Sequence, residues 1–112
     1  MIHSTIRIAI NPEQSDEAVT ILRMMAERTR TISGCIACRT YRDAFEGDIL
    51  MFEAIWENEE DMNRQLRSDE FRNVLLAMEM AVEMPEIRFA TVSHVSGMET
   101  IEKARNTGWL VE

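Results

Sequence analysis

Residues 34–43 read Gly34-Cys35-Ile36-Ala37-Cys38-Arg39-Thr40-Tyr41-Arg42-Asp43, residues 49–56 read Ile49-Leu50-Met51-Phe52-Glu53-Ala54-Ile55-Trp56, and a polar stretch then runs from Asn58-Glu59-Glu60-Asp61-Met62 to Leu66-Arg67-Ser68-Asp69-Glu70-Phe71. The first two blocks predict strands, and Phe45-Glu46-Gly47-Asp48 between them predicts a turn, so the simplest arrangement is an antiparallel hairpin. In the third block, Asn58 with Asp61 three residues on caps a short acidic helix through Leu66. Ser68 then restarts a helix carrying Phe71, Val74, Leu75, Met78 and Val82 on one face, and Pro85 stops it.

Working outward, Ile2, Ser4, Ile6, Ile8 and Ile10 alternate with His3, Thr5, Arg7 and Ala9, the period-two pattern of a strand. Asn11-Pro12 ends it and opens a helix, whose stripe of Ala18, Ile21, Leu22, Met25, Thr29 and Ile32 leads to Gly34 as the exit. Beyond Pro85, residues 87–93 alternate again as a fourth strand. Residues 1–96 therefore read as one α+β domain of order βαββαβ, the ferredoxin-like arrangement with a four-stranded antiparallel sheet and its helices on one face. After Gly97, Met98 to Arg105 predicts a short helix, and residues 97–112 form a C-terminal appendage whose Trp109 and Leu110 are candidates to cover a partner protomer.

The third strand is apolar on both faces, which marks it as central and covered from two sides. Helices cover one side, and a second copy related by a two-fold axis covers the other, giving a homodimeric α/β barrel. Glu53 and Arg7 would then point toward the partner sheet, where a carboxylate needs a cationic partner to offset desolvation. An Arg7 to Glu53 pair is the expectation.

The 12 basic and 20 acidic residues leave a net charge of −8, which repels phosphate backbones and anionic membrane surfaces. Nucleic acid and membrane are therefore not expected partners. No apolar run approaches the roughly 20 residues of a membrane span, and the N-terminus lacks the pattern of a signal peptide. Two cysteines without a secretion signal fit a reducing cytoplasm, which is the expected location.

Ser33-Gly34-Cys35-Ile36, Tyr41-Arg42-Asp43, Phe52-Glu53-Ala54-Ile55-Trp56, Asn58-Glu59-Glu60 and Leu66-Arg67-Ser68-Asp69-Glu70-Phe71 together resemble the antibiotic biosynthesis monooxygenase family, which includes quinol monooxygenases. The likeness covers roughly residues 2–94. It implies a small dimeric α+β barrel and a cofactor-independent chemistry in which an electron-rich phenol or quinol is deprotonated and reacts directly with molecular oxygen. Many members carry a histidine where this chain has Gln65, and glutamine can donate and accept hydrogen bonds but carries no proton at neutral pH. Related haem-degrading members use a histidine where this chain reads Arg72-Asn73-Val74-Leu75.

No Ser/His/Asp set, phosphate-binding loop or nucleotide fingerprint occurs, so no nucleotide, flavin or metal cofactor is expected. Cys35 and Cys38 have redox-pair spacing, but in a regular strand residues three apart project from opposite faces, which disfavours a disulfide and joint metal binding. His3 and His94 make at best part of a metal site. The leading expectation is a monooxygenase-like protein with a small aromatic ligand between helices and sheet. Phe52, Trp56 and Phe71 would be apolar walls, Gln65 a hydrogen-bond donor, and Tyr41 or Arg39 stabilisers of a phenolate. The alternative is a non-catalytic dimeric ligand-binding or interaction module on the same scaffold, with a small pocket filled by its own side chains.

Overall fold

The computed structural model describes residues 1–106, so Trp109 and Leu110 lie outside the described residues. Its elements are β1 (Ile2–Ala9), a 3-10 turn (Pro12–Gln14), α1 (Ser15–Thr29), β2 (Cys35–Arg42), β3 (Ile49–Trp56), α2 (Glu59–Arg67), α3 (Arg72–Glu79), β4 (Glu86–Thr91) and α4 (Met98–Arg105). The four strands form one sheet of order β2-β3-β1-β4, antiparallel at every junction. This is the expected ferredoxin-like architecture, with β3 in the interior of the sheet.

Local chemistry sets the boundaries. The Asn11 side chain accepts from the Glu13 N–H at 3.1 Å and holds Pro12–Gln14 in a tight 3-10 turn, so α1 starts at Ser15 rather than at Pro12. The Asn58 side chain caps α2 by accepting from the Asp61 N–H at 2.9 Å, while Asp61 Oδ2 accepts from the Asn58 amide at 2.9 Å. Ser68 is extended, with ψ 152°, and its hydroxyl accepts from the Phe71 N–H at 3.2 Å. The restart expected at Ser68 is thus a corner, and α3 begins at Arg72.

Along β3, Leu50, Phe52, Ala54 and Trp56 are buried, while Ile49, Met51, Glu53 and Ile55 are half-buried. The first set meets the helices. It joins Ile6 and Ile8 of β1, Leu22 and Met25 of α1, and Val74 and Ala77 of α3 in one core. Each fully buried aliphatic side chain of this kind contributes about 2 kcal/mol.

One feature of β2 corrects the expectation for the cysteines. The register shifts between Cys35 and Ala37, so that Cys35 stands opposite Trp56 and Cys38 opposite Ala54. An extra residue in one strand turns the side chains that follow it to the other face. Both cysteines therefore face the helices. They are free thiols, and their β3 partners are two residues apart, about 7 Å along the strand, at the upper limit of Cα separation for a disulfide.

Candidate functional site

The sheet has two chemically distinct faces. On the helix side, Phe52 and Trp56 of β3, Met62, Gln65 and Leu66 of α2, and Phe71 enclose a slot that also touches Ser4, Ile6, Thr29, Ala54 and Phe89. Four of the expected pocket residues, Phe52, Trp56, Gln65 and Phe71, are brought together here. Ser4 and Thr29 were legible only as members of apolar stripes. A hydroxyl recurring within such a stripe is the signal that marks them as pocket polar groups.

Gln65 is the polar centre of this slot and is buried. Its amide nitrogen donates to Thr29 Oγ1 at 3.4 Å, and its amide oxygen accepts from the Ser68 hydroxyl at 3.5 Å, both at the long limit of a hydrogen bond. The Ser4 hydroxyl is committed to the Ala54 carbonyl at 3.2 Å. Among the described residues no carboxylate or imidazole lines the slot. Its residual volume is about 20 Å³, room for about one water, whereas an engineered cavity that admits benzene is about 150 Å³.

Tyr41 and Arg39 lie on the opposite face, which corrects their expected place beside the ligand. In the register Arg39 faces Glu53 and Tyr41 faces Met51, and strand alternation puts both on the side away from Phe52 and Trp56. There, Glu53 is the hub of a polar cluster. His3 Nε2 lies 3.0 Å from Glu53 Oε2, the Tyr41 hydroxyl donates to Glu53 Oε1 at 3.2 Å, and Arg39 Nη1 lies 3.9 Å from the same oxygen.

The expected pair of Arg7 and Glu53 does not form within the chain. Glu53 is opposite Thr5, whereas Arg7 is opposite Met51, one pleat further along, and its guanidinium lies 3.9 Å from Glu86. His3, considered from the sequence only as part of a metal site, supplies the contact. His94 falls beyond the end of β4. Among the described residues no three His, Cys, Asp or Glu side chains gather as a metal site.

Beneath the slot, burial pushes the Cys38 thiol up to about 12, with the neighbouring Cys35 adding to the rise. Burial also raises Cys35. Neither sulfur is a ready nucleophile.

The sequence pattern of the antibiotic biosynthesis monooxygenase family matches residues 1–75. The chain belongs to that family. Among solved structures, a candidate antibiotic biosynthesis monooxygenase from Deinococcus radiodurans is similar, with a TM-score of 0.79 at 16% identity, covering 88% of this chain and 98% of that one. Another structure described as an antibiotic biosynthesis monooxygenase has a TM-score of 0.75 at 19% identity, with 84% and 100% covered. A conserved protein from Methanosarcina mazei Go1 has a TM-score of 0.73 at 23% identity, with 80% and 89% covered. At these identities the likeness shows a shared fold. None of the curated proteins searched matches the chain. No helix among the described residues of this family member is long and apolar enough to cross a membrane.

Proposed function

We propose that this member of the antibiotic biosynthesis monooxygenase family is a cofactor-independent monooxygenase that takes a small aromatic, quinol-like molecule into the slot between α2 and the sheet. The observation that carries the reading is Gln65, a buried amide among aromatic walls whose two side-chain hydrogen bonds are both at the long limit. A buried amide gains when a properly placed partner replaces long contacts. A phenolic oxygen is such a partner, with Phe52, Trp56 and Phe71 stacking on the ring.

In the reaction class proposed, the ring carbon that is a CH₂ in the substrate's keto tautomer reacts with O₂ to give a carbonyl and water, so the substrate supplies all the electrons. The substrate loses its proton to water, since Glu53 and His3 are on the other face. Gln65 donates to the resulting oxyanion in a site closed to solvent. Entry requires the walls of the slot to move apart, because the resting cavity holds about one water.

The test is oxygen uptake after anaerobic loading with a panel of reduced quinols and anthrones. Uptake that depends on the protein and falls at least 10-fold in Gln65→Leu is expected. The small cavity favours the second reading, a non-catalytic module filled by its own side chains. No protein-dependent uptake and no ligand-induced rise in melting temperature across the panel would establish it against the first.

The assembly proposed is a homodimer joined through the open sheet face. Ile49, Met51 and Ile55 lie half-buried there around the Glu53 cluster. Apolar residues on a sheet face without helices gain from a second sheet.

A further inference from the structure

A second depression lies on the open sheet face, lined by His3, Thr5, Met51, Arg88 and Ala90. Its volume is about 370 Å³, against about 20 Å³ for the slot. The register explains the grouping. His3 stands opposite Ala90 and Thr5 opposite Arg88 on β4, while on β3 Thr5 stands opposite Glu53, so that Met51 is its diagonal neighbour. Diagonal neighbours on one face of an antiparallel pair are about 7–8 Å apart, within reach of side chains as long as arginine and methionine.

Charge distinguishes this part of the molecule. On the paired strands the open face carries Arg7, Arg39 and Arg88 against Glu53 and Glu86, three positive charges to two negative and so +1, on a chain whose net charge is −8. Both carboxylates are engaged, Glu53 with His3, Tyr41 and Arg39, and Glu86 with Arg7. Arg88 is exposed and has no ion-pair partner among the described residues. Neither its guanidinium nor the half-buried Thr5 hydroxyl makes a side-chain hydrogen bond among them. The surplus cation of the face is thus a wall of the depression.

These walls fit a planar monoanion with an apolar body. A guanidinium takes a carboxylate through two parallel N–H···O bonds, and a hydroxyl adds a third donor. Met51 and Ala90 supply apolar surface, and a thioether makes favourable contacts with an aromatic ring. The His3 ring is held in place: a carboxylate only accepts, so His3 Nε2 carries a hydrogen and donates it to Glu53 Oε2 at 3.0 Å. One aromatic ring fits the space, since a cavity of about 150 Å³ already admits benzene. A phosphate dianion fits less well, because a single free guanidinium stands on a face that also carries the Glu53 and Glu86 carboxylates.

We infer that this depression is a second small-molecule site and that it binds a single-ring aromatic carboxylate. Arg88 and Thr5 hold the carboxylate, while Met51, Ala90 and the His3 ring fixed by Glu53 hold the body. All five walls belong to one chain, so the site is formed by a single protomer, and a second sheet packed on this face closes over it. The slot is a separate matter: its ligand meets Gln65 on the other side of the sheet, and either site can fail alone.

The test is a nuclear magnetic resonance titration of the full-length protein, labelled with ¹⁵N and with ¹³C in its methionine methyls, using benzoate, its neutral counterpart benzamide, and inorganic phosphate. Benzoate is expected to give saturable shifts centred on Thr5 and Ala90, with Overhauser contacts from its ring to the Met51 methyl. Arg88→Gln should weaken binding by about 10-fold or more, and Arg88→Lys, which keeps the charge but loses the fork, should recover only part of it. Both changes are at an exposed position, so the melting temperature should stay at the wild-type value. Benzamide binding as tightly as benzoate, or phosphate displacing benzoate at equal concentration, would overturn carboxylate recognition. Shifts centred on Gln65 and Trp56 would place the ligand in the slot and overturn the second site. Absence of binding overturns it as well: where the chain sediments as a dimer the depression belongs to the second copy, and where it is a monomer the face is bare surface.

Discussion

At the level of single residues, the two faces of the sheet separate burial from proton chemistry. Gln65 sits where a histidine would bring an acid or base into the slot, and the histidine, carboxylate and tyrosine that could move a proton, His3, Glu53 and Tyr41, are on the far side. Gln65→His is therefore expected to raise turnover of any active quinol 10-fold or more and to add a pH dependence near the histidine range, checked by initial rates from pH 5 to 9. Thr40 makes the reverse point. Its hydroxyl is buried without a partner among the described residues, so Thr40→Val is expected to stabilise the fold by about 1 kcal/mol in urea unfolding. Cys38 sets an alkaline limit. Its thiol is neutral in the fold up to about pH 12 but ionises near 9.0 when unfolded. Its stabilising effect is thus complete below pH 9 and is lost between 9 and 12, at up to about 1.4 kcal/mol per pH unit. Wild type should lose stability across that window more steeply than Cys38→Ala, and at pH 8 an alkylating reagent should label Cys38 only on unfolding.

At the level of elements, what was legible depended on whether a signal was local. Alternation in residues 2–10 located β1 and the apolar run of residues 49–56 located β3, and the two-residue side-chain period of a strand correctly separated Phe52 and Trp56 from Glu53. The face of Arg39 and Tyr41 depends on how β2 pairs with β3, which the strand sequences do not state. The bulge between Cys35 and Ala37 contains no glycine or proline of its own to announce it. Hence the cysteines were assigned to opposite faces and Tyr41 to the wrong site. Gly34 is a place where the local signal was sufficient: it has φ +87°, accepts from the Glu57 N–H at 2.8 Å, and leaves no room for a Cβ against the Asp61 carboxylate. Gly34→Ala is expected to cost about 1–3 kcal/mol, from left-handed strain and displacement of the carboxylate that braces the start of α2. Chemical denaturation measures the loss, and Asp61→Ala should make the second change at Gly34 cheaper.

At the level of the whole molecule, a single protomer leaves the open sheet face unfinished. The open face is not the plain apolar surface that the sequence of β3 implies. Met51 and Ile55 flank Glu53, which already has His3 and Tyr41 as hydrogen-bond partners and Arg39 nearby. A satisfied carboxylate of that kind can enter an interface without being left unpaired, and it makes one sheet register better than its neighbours. Glu53→Gln keeps the shape but removes the charge facing His3 and Arg39. If the sheets pack face to face, the change should weaken the dimer by about 1–3 kcal/mol, which is roughly a 5- to 150-fold rise in its dissociation constant. Sedimentation equilibrium over a concentration series reads this directly, with the wild type at twice the 13.0 kDa chain mass. Monomer stability in urea serves as the control: an equal loss there would make Glu53 a fold residue, whereas a loss confined to association makes it an interface residue. An unchanged dissociation constant would remove the sheet face from the assembly.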